Sequence, residues 1–190
     1  METKNIMIVG VGGQGSLLAS KLLGSILTSE GYDVKVSEVH GMSQRGGSVV
    51  TYVRYGDKVY SPLISEGEAD FIVSFEKLEA ARYIKCLKKG GKIIVNTQSI
   101  DPMPVITGQA DYPDDILDVI KESGVFVDAI DALALAKEAG NPKCVNIVLM
   151  GRFAKYFDIP YEKWTDAIKT TVNQKFTQVN LKAFDIGYNH

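Results

Sequence analysis

An α/β fold with a mostly parallel sheet and helices on both faces is predicted by three features of this sequence. Short apolar runs alternate with amphipathic stretches of helical period through the first two-thirds of the chain. A glycine-rich turn follows the first apolar run, and a second follows the next. Beyond Gly140-Asn141-Pro142 every segment has the helical period, which predicts a helical cap at the carboxy-terminal end.

The elements follow in order. Residues 5–9 read as a strand, and 13–30 as a helix whose apolar stripe includes Leu17, Leu18, Leu22, Leu23, Ile26 and Leu27, stopped at Gly31. Residues 33–38 make a second strand. Residues 48–54 alternate in the strand manner and run through Tyr55-Gly56-Asp57-Lys58 into Val59-Tyr60. That spacing predicts a β-hairpin inserted in the otherwise parallel pattern. A strand at 70–75, a helix at 76–88 closed by Gly90-Gly91, and a buried strand at 92–96 come next, ending in Asn96-Thr97-Gln98-Ser99. A long connection punctuated by Pro102, Pro104, Gly108 and Pro113 leads to a helix at 114–123 and a strand at 125–129. Asp131 then starts a helix over 131–139. Helices at 143–156, 161–172 and 175–186 complete the chain. With no repeat, low-complexity tract or linker, the expectation is a single domain over 1–190, an α/β core to about 140 and a cap over about 141–190.

Bulk composition narrows the function. A hydrophobic fraction of 45% and a charged fraction of 23% suit a soluble globular chain. A net charge of -2 gives no general attraction to nucleic acid or to an anionic membrane. No apolar run approaches the ~20 residues that a membrane-spanning helix needs. Met1-Glu2-Thr3-Lys4 leads directly into the first strand, leaving no room for a signal peptide, so a cytoplasmic location is expected. Cys86 and Cys144 are the only cysteines, too few to hold a four-ligand zinc site or an iron–sulfur cluster. No metal site is expected.

The first glycine segment, Gly10-Val11-Gly12-Gly13-Gln14-Gly15, sits between strand and helix as in Rossmann-like phosphate-binding turns. Gly10 would permit the tight turn, Gly12 the approach of an anionic ligand, and Gly15 close packing of helix on strand. The helix start would offer unpaired N–H groups to the anion. Glu38, at the end of the second strand, has the place of a ribose-binding acid. Two readings stay open on these residues: a self-contained NAD-linked dehydrogenase, and an adenine-nucleotide-binding regulatory module.

The second segment, Gly41-Met42-Ser43-Gln44-Arg45-Gly46-Gly47-Ser48, is unlike an ordinary dehydrogenase. Arg45 is suited to grip a carboxylate or phosphate bidentately. Ser43, Gln44 and Ser48 add neutral hydrogen-bonding groups, and His40 beside them is able to move a proton near neutral pH. Arg45, Ser43, Gln44 and His40 are thus the catalytic candidates. No Ser/His/Asp triad is assembled, because the other histidine is His190 at the far end.

Taken together, the Gly-x-Gly-Gly-Gln-Gly and Ser-Gln-Arg-Gly-Gly-Ser segments resemble the gamma-type domain of the 2-oxoacid:ferredoxin oxidoreductase family. The form of residues 41–49 is most similar to the small (beta) subunits of its indolepyruvate-oxidising members. Asn146, Gly151, Lys175 and the ending Asn180-Leu181-Lys182-Ala183-Phe184-Asp185-Ile186-Gly187 fit the same family, so the resemblance spans nearly the whole chain. It implies a subunit that carries no cofactor and is inactive alone. A large (alpha) partner subunit would hold thiamine diphosphate and iron–sulfur clusters, with ferredoxin engaged through the complex. Such a complex decarboxylates an aryl 2-oxoacid, oxidises what remains by single electrons and passes the acyl group to coenzyme A. The cofactor-binding candidates are Gly10, Gly12, Gly13, Gln14, Gly15, Gly46, Gly47 and Ser48, and the resemblance leaves open whether these loops meet coenzyme A phosphates, the substrate end of the thiamine site or the backbone of the large subunit.

Overall fold

The computed structural model describes residues 2–40 and 47–190. The first strand, β1 (Lys4–Val11), is central, and Ile6, Met7, Ile8 and Val9 are each fully buried. A strand covered on both faces needs an unbroken apolar run, and this one has it. The amphipathic helix α1 (Ser16–Ser29) packs on one face through Ala19, Leu22, Leu23, Ile26 and Leu27. Leu17 falls outside that stripe and is 51% exposed.

The next two strands, β2 (Asp33–His40) and β3 (Ser48–Gly56), are antiparallel. β3 also lies antiparallel to β1 along its length, from Lys4↔Tyr55 to Val11↔Ser48. Here the structure corrects the sequence reading. The hairpin is formed by β2 and β3 about the second glycine segment, and residues 57–60 lead into no returning strand. Both edges of β3 are already filled by β1 and β2, which leaves no ladder for Val59-Tyr60 to join. Val59 is instead buried beside the sheet, its N–H donating to Asp33 Oδ2 at 2.9 Å.

The strands β4 (Ala69–Ser74), β5 (Leu87–Asn96) and β6 (Phe126–Ile130) continue from β1 in parallel, giving the six-strand order β2-β3-β1-β4-β5-β6. The sheet is mostly parallel, as expected. The helix between β4 and β5 is shorter than the expected 76–88. α2 (Lys77–Tyr83) passes through a 3-10 turn at Ile84–Cys86, and β5 already begins at Leu87. The ladder slips between Ala69↔Leu87 and Phe71↔Lys92, so Lys88, Lys89 and Gly90 bulge from the strand rather than end a helix.

The long connection contains a short helix the sequence reading missed, α3 (Met103–Ile106), before α4 (Ile116–Glu122). α5 (Ala132–Ala139) starts as predicted, with the Asp131 side chain accepting from the Ala134 N–H at 2.9 Å. The chain ends in α6 (Val145–Ala154), α7 (Tyr161–Thr171) and α8 (Thr177–Asn189).

Strand alternation divides the interior in two. Ile6 and Ile8 face a core shared with α1 and with α5 to α8, whereas Met7 and Val9 face α2 and α4. Trp164, Phe153, Phe157 and Phe184 form the aromatic centre of the first core, at ring separations of 4.9–6.1 Å. The carboxy-terminal helices therefore complete one face of the sandwich.

Candidate glycine-lined ligand site

β1 and β2 run in the same direction with β3 antiparallel between them, so the residues that follow β1 and those that precede β3 meet at one edge of the sheet. The contact is direct: the Gly12 N–H donates to the Gly47 carbonyl at 2.9 Å. Doubly wound sheets bind ligands at the carboxyl ends of their strands, and this is that edge. Of the predicted residues, Ser43, Gln44, Arg45 and Gly46 lie outside the described residues. Gly10, Gly12, Gly13, Gln14, Gly15, His40, Gly47 and Ser48 are all placed at or beside the edge.

Their individual roles differ from the sequence reading in several cases. Gly10 belongs to β1 rather than to the turn. A Cβ on it would lie 2.8 Å from Gln14 Oε1 and 2.9 Å from Phe75 Cβ, so its lack of a side chain serves packing. Gly12 spends its N–H on Gly47 rather than offering it to an anion. Gly15 caps α1 in the left-handed region at φ 87°, where glycine is unstrained. A Cβ there would also come within 2.7 Å of Asn146 Nδ2, which donates to the Gly15 carbonyl at 3.3 Å. Asn146 of α6 thus fastens the carboxy-terminal layer to the loop.

Gln14 works inward. Its Oε1 accepts from the Val11 N–H at 2.7 Å, and its Nε2 donates to the Phe75 carbonyl at 3.0 Å. Ser48 gives its hydroxyl proton to Glu79 Oε2 at 2.5 Å. Glu79 is buried and also accepts from Arg82 Nε at 3.1 Å, so the stem of the second loop is clamped to α2.

A cavity of about 480 Å3 opens on one side of the first loop. Gly12, Gly13, Gly15 and Ser16 form one wall, and Glu38 and His40 of β2 form the other. Glu38 Oε2 accepts from Thr51 Oγ1 at 3.1 Å. Because β3 intervenes, Glu38 stands two strand spacings from β1, about 10 Å. A ribose-binding acid belongs on the strand next to the glycine turn, so this placement argues against the dehydrogenase reading.

Sequence reasoning missed the polar groups that support the edge from below. Glu76, 1% exposed, caps α2 through Oε2, which accepts from the Glu79 N–H at 3.0 Å. Its Oε1 accepts from the Ile100 N–H at 3.1 Å and from the Tyr112 hydroxyl. Burial and then the bond to Glu76 push the Tyr112 phenol above its ordinary range, so it stays a proton donor at neutral pH. Asn96 Oδ1 accepts from the Ala132 N–H at 3.1 Å and so anchors α5. The signal available was the polar run Asn96-Thr97-Gln98-Ser99 directly after a buried strand.

Cys86 and Cys144 lie in the two different cores, on opposite faces of the sheet, and do not converge on a common ligand. Among the described residues no group of three or more His, Cys, Asp or Glu side chains is placed to hold a metal ion. No helix among them is long and apolar enough to cross a membrane. Burial pushes both thiols above their ordinary pKa, which lowers the thiolate fraction at neutral pH. Both should therefore resist a thiol reagent such as iodoacetamide at pH 7.5 in the native state and react in full after denaturation. Mass spectrometry of the alkylated protein checks this, and stoichiometric native labelling at either site would contradict the buried placement.

Sheet order and helix layers together define an α/β fold of the doubly wound class. Residues 5–190 match the family model described as pyruvate ferredoxin/flavodoxin oxidoreductase, and the chain belongs to that family. It is 48% identical over 193 residues to the indolepyruvate oxidoreductase subunit IorB of Pyrococcus horikoshii, covering 98% of this chain and 95% of that one. The subunit of the same name from Thermococcus kodakarensis is 46% identical over the same shares of both chains. Among solved structures, the 2-oxoglutarate:ferredoxin oxidoreductase of Magnetococcus marinus aligns with a TM-score of 0.75 at 20% identity. That alignment covers 100% of this chain and 31% of the longer one.

Proposed function

We propose that this chain is the cofactor-free subunit of an indolepyruvate:ferredoxin oxidoreductase. The complex would convert an aryl 2-oxoacid and coenzyme A into an aryl-acetyl-CoA and CO2, with two electrons passing to ferredoxin and one proton released. The observation that carries this reading is near-full-length identity of 48% to an indolepyruvate oxidoreductase subunit. The geometry supports it, because the two glycine segments that mark the family meet at Gly12 and Gly47 on the ligand-binding edge. Thiamine diphosphate and iron–sulfur chemistry would be supplied by a large partner subunit, since the cysteines here do not fit a cluster. This chain's part would be to bind and orient: a rigid glycine-lined wall, hydrogen-bonded through Gln14 and Ser48, closing over the coenzyme or the substrate end of the partner's site.

The test is reconstitution. The isolated chain should show no flavin or iron–sulfur absorbance and no oxoacid oxidation. Co-expression with the large subunit should give dye reduction that requires both an aryl 2-oxoacid and coenzyme A. Stoichiometric cluster iron on the isolated chain, or a complex indifferent to both compounds, would overturn the reading.

A further inference from the structure

The two faces of the sheet are covered unequally. α1 and α5 to α8 close over one core, whereas the helices that meet the other are α2 and α4, of seven residues each. An open groove of about 360 Å3 runs between these two helices. Leu78, Ala81 and Ile84 line one wall and Ile116, Val119 and Ile120 the other, at helical spacings that bring each set to one side. Val119 is 55% exposed, so the apolar surface of the groove continues to the outside of α4. Contiguous apolar surface of this kind marks an interaction site, which a single exposed residue does not.

The rims of the groove carry opposite charge. Segment 77–85, on the α2 side, holds Lys77, Arg82 and Lys85 against Glu79, which is buried and already bonded to Arg82 and Ser48. Segment 111–122, on the α4 side, holds Asp111, Asp114, Asp115, Asp118 and Glu122 against Lys121. Little of this charge is neutralised within the chain. Lys85 pairs with Glu66 at 2.6 Å and Asp118 with Lys121 at 3.6 Å, both between exposed side chains, where ion pairs are weak. Asp115 and Glu122 have no ion-pair partner among the described residues. The Lys77 ammonium meets the Tyr112 ring, 5.5 Å from its centre, and no carboxylate among those residues.

We propose that a second copy of this chain docks in the groove, with a two-fold axis along it, so that α2 of each copy lies on α4 of the other. Rotation about that axis exchanges the two walls. Each basic rim is then set on an acidic one, and Val119 is seated against Leu78 and Ala81 of the other copy. An axis across the groove would instead stack like rims on each other. A partner of uniform charge fits less well, because one of the two walls would repel it. Each helix is only about 10 Å long, so the interface is small and the dimer weak, with a Kd on the order of 10 µM.

The test is sedimentation velocity of the full isolated chain from about 1 to about 200 µM, a range that brackets a weak association. A reversible dimer is expected, and it should weaken at about 0.5 M salt, where the Debye length falls below about 5 Å. Val119→Lys should raise Kd at least about tenfold by setting a charge against the basic wall. Two rim variants decide the arrangement. Asp118→Lys/Glu122→Lys turns the α4 wall basic, and Lys77→Glu/Lys85→Glu turns the α2 wall acidic. Each alone should stay monomeric over the range, whereas their equimolar mixture should dimerise at least as tightly as the parent. Misfolding of either variant does not produce that recovery. A parent chain monomeric at the highest concentration, a dimer indifferent to Val119→Lys, or a mixture no better than its components would overturn the proposal. A monomeric parent whose Val119→Lys variant no longer co-purifies with the large subunit would assign the groove to that subunit and overturn the second-copy reading.

Discussion

Gly187→Ala should destabilise the protein by about 3 kcal/mol, at the upper end of what overpacking costs. α6 and α8 cross with their backbones in contact at Gly151 and Gly187. A Cβ on Gly187 would lie 2.0 Å from the Val148 carbonyl oxygen, and one on Gly151 would lie 2.3 Å from the Phe184 carbonyl oxygen. These neighbours are main chain and cannot rotate away, so the helices must separate. Separation would loosen Phe184, Trp164 and Phe153, all fully buried. The expected sign opposes intrinsic propensity, since alanine normally favours a helix interior over glycine by about 1 kcal/mol. Gly24 supplies the contrast within α1. Its Cβ would meet only Val36 Cγ2 at 3.8 Å, an ordinary contact, so Gly24→Ala should stabilise by roughly 0.5–1 kcal/mol. In a chain of this size 3 kcal/mol corresponds to a Tm lowered by roughly 6–12 °C. Thermal or urea unfolding of the two variants checks both signs. A Gly187→Ala protein as stable as the parent would mean that the helices do not cross as described.

The same pair shows what the sequence could and could not disclose. Gly151 and Gly187 were visible as recurring marks of a resemblance, yet nothing local explains them. Their reason is a meeting of α6 and α8 at positions more than thirty residues apart in the sequence, which no periodicity encodes. Elements whose signal is local were legible: the unbroken run of β1, the stripe of α1, and Asp131 as a cap. The β2–β3 hairpin was misplaced because strand order is decided by which edges are free, and β3 has both of its edges taken. At the site, the first loop was found by its glycines, but their division of labour was not. Gly10 is explained only by Phe75 and Gln14 packed against it. Gln14 lies in the turn after β1 and Phe75 directly after β4, so their convergence is a property of the fold.

Arg45→Ala, in a complex that still assembles, should lower kcat/KM for the aryl 2-oxoacid or for coenzyme A at least about tenfold, equivalent to about 1.4 kcal/mol. The reason combines sequence with the geometry of the loop's stem. Arg45 belongs to the glycine-bounded connection between His40 and Gly47. Both ends of that connection are fixed at the carboxyl edge of the sheet: His40 is paired with Val49, and the Gly47 carbonyl accepts from Gly12. Ser48 is tied to the buried Glu79 as well, so the stem is held against both α2 and the first loop. A guanidinium on a connection so anchored is a suitable donor for a carboxylate or phosphate, with two parallel N–H bonds available. Arg45→Lys keeps the charge and loses the fork, so it should recover only part of the lost rate. The glycine-lined cavity and the fold should be untouched, with unfolding midpoints matching the parent within about 1 °C. Steady-state kinetics over both substrates, with assembly verified by size-exclusion chromatography, make the measurement. Near-normal kinetics for Arg45→Ala would reduce the residue to a solvated loop position and leave the edge to act through its backbone.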